Sequence, residues 1–270
     1  MSISYTNPEI DDPKVGNEVY LPYGVGPLPS EFHNKKIFYF DIDNCLYTKS
    51  TMIHDLMTIK ISQFFRDHLK LSDEDARLLH QNYYQQYGLA LEGLVRNHKV
   101  DALEYNSKVD DAIDLKSVLH YDSDLRNLLI SIKKNFDFFW LVTNAYKNHA
   151  LRVISFLGVG DLFDGLTYCD YSKVPIVCKP QSKYFYNVLD LTNIDDLGLK
   201  NQYYIDDSEV NVKAAFKLGF GHIIHFVEHK CDLEIIKNKP DFYQFYGHGD
   251  NSDPNKIKIL TRILDLESIL

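Results

Sequence analysis

Three short runs of apolar and aromatic residues, each cut off by a polar one, constrain this chain more than any other feature. Ile37-Phe38-Tyr39-Phe40 stops at Asp41, Phe138-Phe139-Trp140-Leu141-Val142 stops at Thr143-Asn144, and Tyr203-Tyr204-Ile205 stops at Asp206-Asp207. Runs this short, without polar alternation, read as strands buried on both faces, as in a parallel sheet covered by helices. Residues 222–227 make a further candidate strand. Amphipathic helical patterns lie between the runs, at 148–157 before Gly158 and at 209–218 before Gly219, with glycine where a helix C-cap favours it. Strands alternating with helices imply βαβ units, hence an α/β fold with a Rossmann-like parallel sheet core. Ligands bind such sheets beyond the carboxyl ends of the strands. Asp41, Thr143 and Asp206 are therefore expected to meet at one crevice.

The rest of the chain divides around that core. Residues 1–34 are expected to form an N-terminal extension, in which Pro22, Gly24, Pro27 and Pro29 argue against regular structure. Residues 51–120 read as a helical cap inserted after the first core strand. An amphipathic face runs from Ile53 to Leu71, and Ser72 before Asp73-Glu74-Asp75 marks a capped helix start. The core is then assigned to 35–50 and 121–270, with 257–260 as a possible last strand. No stretch of 18 apolar residues suits a membrane span, and the N-terminus lacks a signal-peptide pattern. Cys45, Cys169, Cys178 and Cys231 have neither CxxC pairing nor zinc spacing, so reduced thiols in a cytoplasmic or nuclear protein are expected. A net charge of −9 disfavours nucleic-acid polymers as partners, though a small phosphorylated ligand is compatible with it.

Asp41-Ile42-Asp43 is the sharpest chemical signal. Two carboxylates spaced two apart at a strand end can divide phosphoryl transfer, one attacking phosphorus and the other protonating the leaving oxygen and then activating water. The bland reading is an acidic turn. Asp206-Asp207-Ser208 is a second acidic pair that alone is more often a helix N-cap, with Ser208 or Asp207 capping the helix that follows. If both pairs converge, their repulsion calls for a cation, and an all-oxygen ligand set suits Mg²⁺ better than zinc. Lys179-Pro180 is either a surface lysine or a fixed charge that balances the nucleophile and holds phosphate. Thr143-Asn144 offers a hydroxyl and a backbone amide to phosphate oxygens.

In order and spacing, Asp41-x-Asp43, Thr143-Asn144, Lys179-Pro180 and Asp206-Asp207-x-x-x-Asn211 resemble the four motifs of the haloacid dehalogenase-like hydrolase superfamily over roughly 37–227. The acid at position 43 resembles its phosphatase branch, because the dehalogenases lack it. Cys45 departs from the Thr or Val more usual there. Longer runs resemble the fungal pyrimidine 5′-nucleotidase family: residues 40–47, 143–150 and 162–171, with Tyr83-Tyr84-Gln85-Gln86-Tyr87-Gly88 and Leu91-Glu92-Gly93-Leu94 in the cap.

The resemblance implies Asp41 as nucleophile, Asp43 as general acid/base, and Thr143 and Lys179 as phosphate holders. It further implies Mg²⁺ on the carboxylates of Asp41 and Asp206 and the main-chain carbonyl of Asp43, with Asp207 and Asn211 in support. The expected substrate is a nucleoside 5′-monophosphate, pyrimidine ones first. Asn44, Tyr84, Tyr87, Gly88 and His98 are the candidates for contacting it, against the alternative that the cap aromatics pack their own helices. Rival readings are a phosphatase for nicotinamide mononucleotide, a sugar phosphate or a lysophosphatidate, and a phospho-accepting signalling domain. The large cap and Asp43 argue against the last.

Overall fold

The computed structural model describes residues 1–270, the side chain of His54 excepted. Eight strands run in chain order: β1 (Ile3–Tyr5), β2 (Val19–Leu21), β3 (Ile37–Phe40), β4 (Phe138–Val142), β5 (Gly165–Thr167), β6 (Tyr203–Asp206), β7 (His222–Phe226) and β8 (Lys258–Leu260), counted among the described residues. The last six form one parallel sheet in the order β5-β4-β3-β6-β7-β8. The chain works outward from β3 to β5, returns beside β3, and works outward again. The strand order therefore reverses between β3 and β6, which is where such a sheet opens its ligand crevice.

The strands are buried on both faces because their residues alternate between two cores. Phe38 and Phe40 join one apolar cluster, while Ile37 and Tyr39 join another. Helices α5 (Ser123–Lys133) and α6 (Lys147–Phe156) cover the first face through Leu125, Leu129, Val153 and Ile154. Helices α7 (Ser182–Thr192) and α8 (Glu209–Leu218) cover the second through Phe185, Val188, Val212 and Ala215. α8 ends as its sequence dictates, with Gly219 at φ +100°, a left-handed conformation that costs glycine little. Beyond β7, α9 (Lys230–Lys237) and α10 (Phe242–Tyr246) precede the short edge strand β8.

Between β3 and α5 lie α1 (Ile53–Leu69), α2 (Asp73–Tyr87), α3 (Ala90–Asn97) and α4 (Ala102–Lys108). They share a third apolar cluster that includes Phe64, Phe65, Ala76, Leu91, Leu94 and Tyr105. Ser72 caps α2 by accepting a hydrogen bond from the Asp75 amide. Ile113, Leu115 and Leu119 pack into the core cluster instead. The apolar contacts thus divide after Val109, whereas the expected cap ran on to 120.

The N-terminal extension differs from its expectation. Its first part is regular: β1 and β2 pair antiparallel, Ile3 opposite Leu21. Val19 and Leu21 are buried in the core, and the Asn17 side chain donates to the Ser155 carbonyl at 2.6 Å. The proline-rich stretch follows this hairpin rather than interrupting it. Among the described residues no helix is long and apolar enough to cross a membrane.

Candidate active site

Asp41 is the first residue past β3, and its amide donates to the Ile205 carbonyl of β6, holding the two strand ends together across the crevice at 3.0 Å. Its side chain is almost fully buried. Burial pushes the Asp41 carboxyl well above its usual range; the neighbouring Lys179 opposes this, and Asp206, Asp207 and Asp43 add to it. Lys179 is itself 1% exposed, and its Nζ donates to Asp41 Oδ1 at 2.6 Å, Asp206 Oδ2 at 2.7 Å and the Val142 carbonyl at 3.0 Å. Burial disfavours that ammonium, but the Asp206 and Asp41 carboxylates outweigh it and hold Lys179 firmly charged. The surface alternative for this lysine is thereby removed.

The residues that end β4 serve Lys179 and the crevice. The Asn144 side chain accepts from the Lys179 amide at 2.8 Å and donates to the Lys179 carbonyl at 3.0 Å. The Asn144 side chain is thus spent on the lysine backbone, while the backbone amide expected to serve phosphate takes no part in these two bonds. Thr143 is buried, with Oγ1 accepting from the Ala145 amide at 2.9 Å, which leaves its hydroxyl proton free to be donated.

The acidic pair of β6 is unequal. Asp206 is fully buried, and both its oxygens are committed: Oδ1 to the Ser208 amide at 2.8 Å and Asn211 Nδ2 at 3.0 Å, Oδ2 to Lys179 and the Tyr204 hydroxyl. Asp207 is partly exposed, and no hydrogen bond among the described residues reaches its carboxylate. Burial first, then Asp206, raises the Asp207 carboxyl to about 8. One oxygen from each of Asp41, Asp206 and Asp207 lies within 4.8 Å of the others. At that spacing each ionised pair repels by roughly 3 kcal/mol at an effective dielectric near 20. An uncommitted carboxylate in an all-oxygen cluster with surplus negative charge fits a hard divalent cation. Asp206 and Asp207, expected as ligand and support, thus differ in their bonding: among the described residues Asp206 is the committed acid and Asp207 the uncommitted one.

Asp43 follows two residues after Asp41, on a turn where the Cys45 and Leu46 amides both donate to the Ile42 carbonyl. Its Oδ1 accepts from the Tyr47 hydroxyl at 2.7 Å and lies 2.7 Å from His149 Nε2. Burial alone would raise the Asp43 carboxyl, but His149, Tyr47 and Lys179 together hold it below its usual value. Asn44 occupies the left-handed region at φ +58°, which asparagine tolerates better than most residues, and its buried Oδ1 has no hydrogen-bond partner among the described residues. Cys45 is fully buried, and burial pushes its thiol well above the usual range, so it behaves as an inert apolar filler.

The cap candidates separate. Tyr84 is half-exposed, and its phenol is raised first by burial and then by the Asp207, Asp206 and Asp41 carboxylates. His98 is 2.9 Å from the Tyr83 hydroxyl and packs within the cap. Tyr87 likewise lies edge-on to Tyr83, under the Arg96 guanidinium. Gly88 approaches the core backbone rather than open crevice: at φ +79°, a Cβ there would lie 2.8 Å from the Lys179 carbonyl oxygen. Gly93 accommodates the Tyr83 ring.

His149 and Tyr47 were missed as site residues, although both lie inside the runs that carried the family resemblance. Their signal is a polar group on an otherwise apolar face: Ala150, Val153 and Ile154 of α6 pack into the core beside a histidine that is itself fully buried.

A parallel sheet with a cap after its first core strand, and a lysine-bridged acidic cluster at the switch point, defines the haloacid dehalogenase-like hydrolases. The sequence model of that family matches residues 35–219, and the chain belongs to it. Among curated relatives, it is 39% identical to Phosphate metabolism protein 8 of Saccharomyces cerevisiae over 266 residues, covering 95% of this chain and 79% of the relative. Among solved structures, the magnesium-bound HAD-hydrolase YfnB of Bacillus subtilis superposes with a TM-score of 0.51 at 14% identity, covering 87% of this chain and 98% of that one. A putative β-phosphoglucomutase of Thermotoga maritima gives 0.49 at 17% identity, covering 87% of this chain and all (100%) of that one.

Proposed function

We propose that this hydrolase is a magnesium-dependent phosphomonoesterase for nucleoside 5′-monophosphates, with pyrimidine nucleotides such as UMP and CMP as its preferred substrates. The observation that carries the reading is the division of the acidic cluster. Asp41 is held by a permanently charged lysine, Asp43 stands two residues on with a separate set of partners, and Asp207 is left uncommitted.

In the first half-reaction an Asp41 oxygen attacks phosphorus in line, while Asp43 gives its proton to the 5′ oxygen as the P–O bond breaks. In the second, Asp43 takes a proton from water as the water oxygen displaces Asp41 from phosphorus. Lys179 and the Thr143 hydroxyl balance the charge of the phosphoryl oxygens. We assign the metal to Asp41, Asp207 and the main-chain carbonyl of Asp43, with Asp206 and Asn211 in support. The bound ion supplies charge neutralisation and in-line orientation of the phosphoryl group. Tyr84, half-exposed and within the field of the Asp207, Asp206 and Asp41 carboxylates, is the cap aromatic assigned to stack on the base. Asn44, with an unpaired buried carbonyl beside the acid/base, supports a polar contact to the sugar or base.

Phosphate release from UMP, CMP, AMP, GMP, ribose 5-phosphate, nicotinamide mononucleotide and a lysophosphatidate tests the assignment. UMP and CMP are expected to turn over fastest, EDTA to abolish turnover, Mg²⁺ to restore it, and Asp41→Asn to eliminate it. Absence of any pyrimidine preference removes the substrate assignment, and substantial turnover by Asp41→Asn removes the covalent route.

A further inference from the structure

His149 sits in the first turn of α6, five residues past Asn144 at the corner of the crevice, and is fully buried. Its Nε2 reaches Asp43 Oδ1 at 2.7 Å, while its Nδ1 is buried with no partner among the described residues. An unpaired buried polar nitrogen is a cost a purely structural histidine usually avoids, by roughly 1–3 kcal/mol. Its one polar contact is therefore to a reacting group. Tyr47, four residues beyond Asp43 and 5% exposed, donates to the same oxygen at 2.7 Å and packs its ring into the core. Oδ1 of Asp43 thus sits between two donors fixed by packing, whereas no hydrogen bond among the described residues reaches Oδ2, and the side chain remains 25% exposed. The carboxyl has one anchored oxygen and one presented oxygen.

We propose that His149, with Tyr47, is a positioning residue that anchors Oδ1 of Asp43 so that Oδ2 alone exchanges protons with the leaving oxygen and the attacking water. The inference rests on the reading of Asp43 as general acid/base. It holds in both protonation states, because Oδ1 accepts two hydrogen bonds whether Oδ2 carries a proton or not. His149 itself gains and loses no proton in the cycle. Without the anchor, Asp43 samples rotamers in which neither oxygen faces the substrate, and general-acid assistance is lost while binding is not.

Leaving-group dependence separates this from a merely structural role. A nucleoside 5′ alkoxide needs a proton to depart, and p-nitrophenolate does not. The readout is kcat/KM, which reports phosphoryl transfer to Asp41 and excludes the later hydrolysis common to both substrates. For His149→Leu we expect a fall of about 10²-fold on the nucleotide, the lower end of what general acids contribute, and less than about threefold on p-nitrophenyl phosphate. His149→Gln, whose amide N–H can take the place of Nε2–H, is expected to recover at least about tenfold on the nucleotide. Tyr47→Phe reads the same oxygen through a different element, and serves where His149→Leu does not fold. Equal losses on both substrates, or a Gln variant no better than Leu, overturn the proposal. Asp43→Asn run alongside isolates the underlying reading: if it shows no leaving-group difference, the acid/base assignment of Asp43 falls first and the anchor with it.

Discussion

Lys179→Met removes the one cation bridging Asp41 and Asp206 while roughly preserving side-chain length. Three hydrogen bonds from the ammonium go, two of them to carboxylates at 2.6 and 2.7 Å, at a group 1% exposed. Breaking a buried ion pair from one side costs about 3–5 kcal/mol, because the remaining charge is stranded away from water. That is a large share of the roughly 5–15 kcal/mol by which domains are stable. The loss has a signature beyond its size. Lys179 holds the Asp41 carboxyl down against burial, so without it the folded-state Asp41 carboxyl rises further above its unfolded value. A folded state that binds more protons than the unfolded chain gains stability as pH falls toward the unfolded value of about 3.9. Urea unfolding of the metal-free wild type and variant is therefore expected to differ by about 3–5 kcal/mol near pH 8, and by distinctly less near pH 5.5, where the stranded Asp41 carboxylate takes up a proton. Added Mg²⁺ should recover part of the gap by restoring positive charge. A difference under about 1 kcal/mol near pH 8, or one indifferent to pH, refutes the picture of a lysine balancing two buried acids.

The unequal acids of β6 give opposite expectations. Asp207→Asn should weaken Mg²⁺ binding by more than tenfold, read by calorimetric titration, yet leave the metal-free fold at least as stable, since it relieves an unpaired acid whose pKa is about 8. Asp206→Asn should instead destabilise the fold by about 3 kcal/mol by breaking a buried pair; loss of metal affinity with unchanged stability in this variant would return the ligand role to Asp206. His225, buried between the Tyr246 hydroxyl and the Asp207 carbonyl, is held down to about 4 by burial. The unfolded chain then binds more protons below about pH 6.5, so this group's contribution is intact at neutral pH and drains away as pH falls toward 4. Between pH 7 and 5, wild type should lose about 2 kcal/mol more than His225→Asn, and parallel pH profiles in urea unfolding would contradict this. Asp110, raised to about 6 by burial, slopes the other way in both proteins, which is why the comparison is made as a difference.

The strand ends were legible because burial changes abruptly there. A run buried on both faces stays apolar until it nears the crevice, so β3 has the boundaries read from its sequence, β4 ends before Thr143, and β6 runs one residue further, to Asp206. β5 lacked that contrast. It is three residues long and opens on Gly165, whose reason lies across the sheet: a Cβ there would meet the Trp140 ring at 2.2 Å. The hairpin of β1 and β2 was illegible for a related reason. Its strands are three residues each, and what fixes them is contact with α6 and the core rather than any pattern of their own.

Within the site, sequence identified which residue types reach the crevice but not which of them hold one another. Lys179 and Asp41 are 138 positions apart, and His149 and Asp43 are 106 apart, so no local spacing encodes either contact. The two acids of β6 are adjacent and chemically identical, yet strand alternation turns one side chain toward Lys179, Tyr204 and Asn211 and leaves the other toward the opening. That one-residue difference in facing commits the Asp206 carboxylate to hydrogen bonds and leaves the Asp207 carboxylate without one among the described residues. The same logic ties the cap to the chemistry. Gly88 closes α2 against the carbonyl of the residue whose ammonium bridges the acids, so any side chain added there presses on the Lys179 backbone that Asn144 clamps from the other direction. The cap therefore meets the acidic cluster through its support, at the Lys179 carbonyl and the Pro180 ring beside Gly88.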